Sequence, residues 1–341
     1  MAKAQTKTAH LLGPGKVPNE LLSKLLAKFG PLSANVVVGP KVGVDAAVIK
    51  NPRGRYLAVT SDPITLAADL LAYYCIHVNA NDLAVMGAEP EFMTVVCLLP
   101  VGTEAKLMIR LGTDLARYSR GLNINVIGGH SEVTPTVTAP LMIGTMFGRV
   151  TTPAPISAAG ARVGDVIVMT KQAGLEATAI IARERAERLL NAGVSSTAIK
   201  RARRLLFQPG ISILPEARVA AGIGCSAMHD ATEGGLVTAL WEMASASQRR
   251  IQVDLTKIPV LPITTQICRV WDIDPLRVIS SGSILVSIRP RKLHPLLASL
   301  KERGIPATVI GEVTSGKPGV LDMRRKRLLS PVQDQLLKIY Q

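Results

Sequence analysis

Apolar positions fall into two successive blocks with the same grammar: short apolar runs alternate with longer stretches at helical spacing. Leu21, Leu22, Leu25, Leu26 and Phe29 recur at helical spacing behind Asn19, a candidate N-cap, and Gly30-Pro31 mark a stop. VVVGP (36–40), DAAVI (45–49) and YLAVT (56–60) read as strands, with Asn51–Gly54 as a turn. A helix is predicted over 69–86, ended by Gly87, then the strand FMTVVCLL (92–99) ended by Pro100. Thr103 can cap a helix running to Gly121, INVI (124–127) runs as a strand into Gly128-Gly129, and PLMIGTMFGRV (140–150) closes the block.

TTPAPISAAG (151–160) has the composition of a connector. Beyond it VIVMT (166–170) reads as a strand, Gly174 opens a helix, two helices flank Gly210, and 222–235 reads as a loop. A helix over 236–247, the strand SILVSI (283–288), a helix after Pro290 and the strand ATVIGEV (307–313) complete the pattern. The fold class is therefore α/β (α+β) with an N-terminal extension over 1–35, a first domain over 36–150 and a second over 160–330. The halves share their order of elements without a strict sequence repeat.

Composition narrows the function classes. With 341 residues, 48% apolar and 19% charged, the chain has a globular balance. A net charge of +15 attracts polyanions, and it concentrates at Arg201, Arg203 and Arg204, at Arg249-Arg250 and at Arg324–Arg327. Aromatics are only 3%, and none interleaves those runs, which argues against a base-stacking nucleic-acid surface. The four cysteines are dispersed without a C-x-x-C pair, as in a reducing compartment without structural zinc. No apolar run approaches the ~20 residues that span a bilayer, and MAKAQTKTAH reads as a loose terminus, not a signal peptide. The expected location is cytoplasmic.

In so basic a chain the carboxylates in apolar or glycine-flanked positions stand out, because a buried acid needs a cation or donors. Asp45 stands where a strand begins, and Asp62 follows YLAVT at the end of a strand, where α/β folds tend to place ligands. Cys75, Asn79, Asp82 and Met86 share one face of the 69–86 helix. Gly128-Gly129-His130-Ser131-Glu132 after a buried strand suits a turn whose N–H groups hold an anion. His229-Asp230-Ala231-Thr232-Glu233-Gly234 precedes a helix N-terminus, which favours anions; a capping box is the alternative. Lys171 and Gly174 lie between a strand and a helix start, where a triphosphate could be held. There is no Walker-type loop and no nucleophile elbow. Carboxylates are hard oxygen ligands suited to magnesium, so the reading is a Mg–nucleotide site assembled from both blocks.

Six motifs in order, GVDAAVI, TSDPI, HVNANDLAVMGAEP, VIGGHSEVTP, MHDATEGGLVTALWEM and SSGSILVSI, resemble the AIR synthase (PurM-like) superfamily from about Val36 to Val313. GGHSEVTP and MHDATEGGL are most similar to the HypE-related hydrogenase maturation factors of archaea. The resemblance implies an N-terminal mixed-sheet domain that pairs in a homodimer, a C-terminal α/β domain, and ATP with Mg2+ bound between them. It implies metal or phosphate roles for Asp45, Asp62, Asp82, Glu132 and Asp230. It places Thr60, Ser61, Asn79, Gly128, Gly129, Ser131, Lys171 and Gly174 around the nucleotide, and Asp45, His130 and Asp230 near the chemistry. Val44 and His130 stand where thiamine-phosphate kinases carry acids, which leaves open whether Glu132 takes a ligand's place. HypE ends in a cysteine tail that accepts a carbamoyl group; this chain ends LLKIYQ and its last cysteine is Cys268, so dehydration on its own tail is not expected. The implied activity is ATP-dependent chemistry on a small molecule, possible links being metalloenzyme maturation with a partner protein. The alternatives are a thiamine-monophosphate kinase and a non-catalytic ATP-dependent assembly factor.

Overall fold

The computed structural model describes residues 17–29, 31–51, 54–65, 69–331 and 333–341. The basic N-terminal decapeptide, Gly30 and the centre of the 51–54 turn lie outside the described residues. A short helix α1 (Asn19–Leu26) starts one residue earlier than expected: Pro18 is its N-cap and Asn19 is already helical. Its leucines stay largely uncovered, with Leu25 51% exposed.

The first block folds as β1 (Val36–Val38), β2 (Ala47–Lys50), β3 (Tyr56–Ile64), α2 (Leu71–Val85), β4 (Ala88–Pro100), α3 (Ala105–Gly121), β5 (Asn125–Thr134) and β6 (Leu141–Val150). Its strands form one mixed sheet in the order β1-β2-β3-β6-β4-β5. Strict alternation sends Met93, Val95, Cys97 and Leu99 to the side covered by α2, while Phe92, Thr94, Val96 and Leu98 face away. α2 is apolar nearly all round, as a helix covered on both sides must be. It packs on β3, β4 and β6 and also against the second domain. Gly144 on β6 lets it approach, since a Cβ there would meet Met93 Cε at 2.1 Å and Asn79 Nδ2 at 2.8 Å.

The second block contains β7 (Val166–Thr170), α4 (Leu175–Glu184), α5 (Ala186–Asn191), α6 (Ser196–Arg203), α7 (Leu214–Ile223), β8 (Ala227–Asp230), α8 (Gly235–Ser247) and β9 (Arg250–Val253). It continues with α9 (Pro262–Arg269), β10 (Ile284–Ile288), α10 (Pro290–Glu302), β11 (Ala307–Thr314), β12 (Gly319–Asp322) and β13 (Arg327–Leu329). The sheet order is β13-β12-β9-β11-β7-β10-β8.

Two expectations are corrected here. The 222–235 segment is not all loop: 227–230 is the edge strand β8, recruited by antiparallel pairing to β10 and buried throughout. Gly128 and Gly129 do not form a turn: β5 runs straight through them, parallel to β4. Gly129 has φ 152°, and a Cβ there would sit 1.9 Å from the Val95 carbonyl oxygen, so the glycine serves close strand approach at a register shift. None of the described helices is long and apolar enough to cross a membrane.

Candidate functional site

The two blocks meet around a cavity of about 1080 Å³. The first domain lines it with Asp45, Thr60, Asp62 and Asp82; the second supplies Glu176, Asp230, Glu233 and Ser281. Leu337, Tyr340 and Gln341, from the last turn of the chain, complete the wall. Four aspartates far apart in the chain thus line one cavity.

The acids come from different places: Asp62 from β3, Asp82 from α2, Asp230 from β8 and Asp45 from the loop before β2. Asp62 is inside β3 and not in a turn after it, because the strand continues through Pro63 to Ile64. Its residue shares the α2 side of the sheet with Thr60, as period-two alternation requires. On α2, Asn79 accepts the backbone N–H of Asp62 at 3.2 Å and donates to the Cys75 carbonyl at 2.9 Å. It therefore fixes the strand rather than facing a ligand. One turn on, Asp82 accepts the Thr60 hydroxyl at 2.7 Å. Burial first, then the neighbouring carboxylates of Asp62, Asp230 and Asp45, push the Asp82 carboxyl well above the usual range. A shared cation would relieve the repulsion among such acids.

His229, at the end of β8, joins the domains. Its Nδ1 lies 2.8 Å from Asp45 and its Nε2 3.0 Å from Glu242 on α8. Burial pulls the imidazole down, but the two flanking carboxylates outweigh it and hold the ring well above its ordinary value. Asp45, His229 and Asp230 could together hold a metal ion, with donor atoms within 4.8 Å of one another. Because both ring nitrogens already face carboxylates, His229 is better suited to orienting Asp45 than to being a ligand itself.

The other expected residues contribute less directly. Ser61 lines the cavity, but its hydroxyl lies 2.9 Å from the Thr145 hydroxyl on the neighbouring strand. Lys171, expected to hold a triphosphate, is turned away: its ammonium lies 2.6 Å from Glu216 and donates to the Gly210 and Ser212 carbonyls. A buried lysine needs such a counter-charge. The Gly174 N–H is taken by the Ser280 hydroxyl at 2.8 Å. Similarly, the N-terminus of α8 carries no side-chain capping box; the Gly234 N–H is donated to Asp334 at 2.7 Å. His130, Ser131 and Glu132 lie exposed on edge strand β5, with His130 3.3 Å from Glu132. Asp62, Gly144, Val95 and Gly129 lie side by side across β3, β6, β4 and β5. This puts β5 about 14 Å from the Asp62 strand within one chain. His130 and Glu132 therefore do not join the aspartate cluster.

Glu176 was not anticipated. It lies in the first turn of α4, 3% exposed, and accepts the Ser281 N–H at 3.2 Å. Burial raises its carboxyl to about 7. The available signal was an acid two residues after a strand-to-helix glycine, followed by the apolar TAII run. No cysteine is poised as a nucleophile: burial raises all four thiols, Cys75, Cys225 and Cys268 to about 12.

Comparison with known proteins agrees with this architecture. The family model "AIR synthase related protein, N-terminal domain" matches residues 43–150, and its C-terminal counterpart matches 162–324. The chain belongs to the AIR synthase related family. Among curated relatives it is 26% identical to the carbamoyl dehydratase HypE of Rhodobacter capsulatus, covering 92% of this chain and 90% of that one. It is 24% identical to the thiamine-monophosphate kinase of Buchnera aphidicola, covering 91% and 95%. Among solved structures, the hydrogenase maturation protein HypE in complex with ATP superposes with a TM-score of 0.65 at 20% identity, covering 92% and 91%. A HypE–HypF complex gives 0.69 at 18% identity, covering 85% and 94%.

Proposed function

We propose that this protein is an ATP-utilising enzyme that acts on a small molecule, binding magnesium–nucleotide in the inter-domain cavity. The observation that carries this reading is the convergence of Asp45, Asp62, Asp82 and Asp230 from the loop before β2, β3, α2 and β8 on one cavity, where burial first and then the neighbouring carboxylates push the Asp82 carboxyl upward. The donor set fits Mg2+: all four are oxygen ligands, and a divalent cation would let them ionise together. The metal would neutralise nucleotide phosphate charge and bridge it to the protein. This chain's own residues do the positioning: Thr60 orients Asp82, Asn79 fixes the Asp62 strand, and His229 orients Asp45.

A solved structure of HypE in complex with ATP supports the nucleotide, and the HypE relatives favour a role in hydrogenase maturation with a partner protein. A thiamine-monophosphate kinase is the second reading, supported by full-length similarity to that enzyme. A homodimer is part of the proposal. The sheet face opposite α2 presents Phe92, Val96, Leu98, Ile143 and Phe147 incompletely covered. Pairing through that face would bring β5, with Gly128, Gly129, His130, Ser131 and Glu132, into or beside the interface.

The test is thermal shift with ATP, ADP and GTP, each with and without Mg2+, followed by phosphate release with thiamine monophosphate and carboxamide substrates. Nucleotide at one hundred times its Kd adds about 2.7 kcal/mol, which raises Tm by about 4 °C for a chain of this length. Asp82→Asn should keep the fold and lose the Mg2+-dependent part of the shift. No nucleotide stabilisation at millimolar concentration refutes the proposal; stabilisation without phosphate release on any substrate favours a non-catalytic assembly role.

A further inference from the structure

A second concavity, of about 1020 Å³, opens on the C-terminal domain between the end of α6, the start of α9 and the loop joining α10 to β11. Its rim carries Lys200, Arg201, Arg204 and Arg303, and among the described residues no acid or aromatic lines it. Leu205 and Ile263 contribute to an apolar floor. Among the described residues none of the four cations pairs with a carboxylate; Arg303 donates to the Ser299 carbonyl, within its own helix. Like charges so grouped repel one another, and α6 gains nothing from them in stability beyond favourable placement in its last turn. The groove is separate from the aspartate cavity: Lys171 on its wall opens the loop leading to α4, whose Glu176 lines the other cavity.

We infer that this groove is a docking surface for an acidic, partly apolar segment of a partner protein. Three features select that occupant. The cations are exposed on long flexible side chains, and Lys171, the buried charge on the groove wall, is already engaged by Glu216 and the Gly210 and Ser212 carbonyls, unlike the free buried donors an enclosed pocket for a small anion would need. None of the described residues lining the groove offers a ring for bases to stack on, which removes the main attraction for single-stranded nucleic acid. The apolar floor beneath a cationic rim matches a segment alternating acidic and apolar side chains, and the chain's +15 charge steers such a partner inward.

The assay is fluorescence anisotropy of a labelled peptide alternating glutamate and leucine, titrated with the full chain at low and physiological salt. The charge-reversed variant K200E/R201E/R204E should bind it about tenfold more weakly. The variant R325E/R327E, which reverses charge on the β12–β13 hairpin, should bind within about twofold of wild type. An alanine version of the triple variant guards against misfolding, and an unchanged thermal midpoint verifies the fold of each protein. Reversal should also leave any Mg–nucleotide shift intact, so failure here is separable from failure of the nucleotide reading. Peptide binding that ignores the reversal overturns the inference. So does tighter, reversal-sensitive binding of oligouridylate, which would make the groove an RNA surface, or complete displacement by tripolyphosphate at matched charge, which would make it a small-anion site.

Discussion

Replacing Glu176 by glutamine separates the electrostatic cost of a buried acid from its structural role. The side chain is 3% exposed, and the donor it faces is the Ser281 N–H, which a glutamine carbonyl oxygen can equally accept. Burial, the largest cause, raises the carboxyl from 4.5 to about 7, while the Ser281 hydrogen bonds oppose it. The sign follows from linkage: the folded state holds the proton more tightly than the unfolded chain. The contribution to stability is therefore fully present below about pH 4.5 and is lost as pH rises through about 7. At about 1.36 kcal/mol for each pH unit, the charged carboxylate at pH 8 costs about 3 kcal/mol relative to its protonated form. Glu176→Gln carries no such cost. Urea unfolding of both proteins between pH 5 and pH 8 should show the variant gaining on wild type as pH rises, by about 3 kcal/mol at the upper end. A difference that stays flat across the range, or a variant less stable at pH 8, refutes the account. The second outcome would mean that a cation within the fold already neutralises Glu176.

Replacing His229 by leucine should destabilise by about 3–5 kcal/mol, since the buried carboxylates of Asp45 and Glu242 would face each other without the imidazolium; denaturant midpoints at pH 7 check this. The double variant His229→Leu/Glu242→Leu should recover part of that loss, and a double-mutant cycle measures the coupling. Gly129→Ala should destabilise by more than about 1 kcal/mol, because the new methyl would overlap the Val95 carbonyl and β4–β5 pairing would have to open. Hydrogen exchange of the β5 amides reports that opening directly, and unchanged protection would show that the close approach is not needed.

Residues at alternating or helical spacing were legible because each reports its own local period. Although which of its residues are covered emerges only in the fold, FMTVVCLL (92–99) announces a strand by its apolar run ended at Pro100. The same holds for the face of α2 that carries Asn79 and Asp82, since helix geometry alone puts them on one side. Asp45, Asp62, Asp82 and Asp230 stood out for a related local reason: each is an acid set among apolar or glycine neighbours. Strand pairing was not legible. β8 looked like a loop because its register comes entirely from β10, and the Gly128-Gly129 pair looked like a turn because the demand for glycine arises from Val95 on another strand.

The sequence by itself determined the α/β fold class and the family resemblance, because local period and ordered motifs carry those signals. Tertiary structure alone decided which polar groups remain available. Lys171 is taken by Glu216, the Gly174 N–H by Ser280 and the α8 N-terminus by Asp334. It also added Glu176 and the His229 bridge, and moved His130 and Glu132 away from the cluster on an edge strand. The reason is the same in each case. Whether a charge or a donor is free depends on what residues distant in the chain bring to it, and that distance closes only on folding.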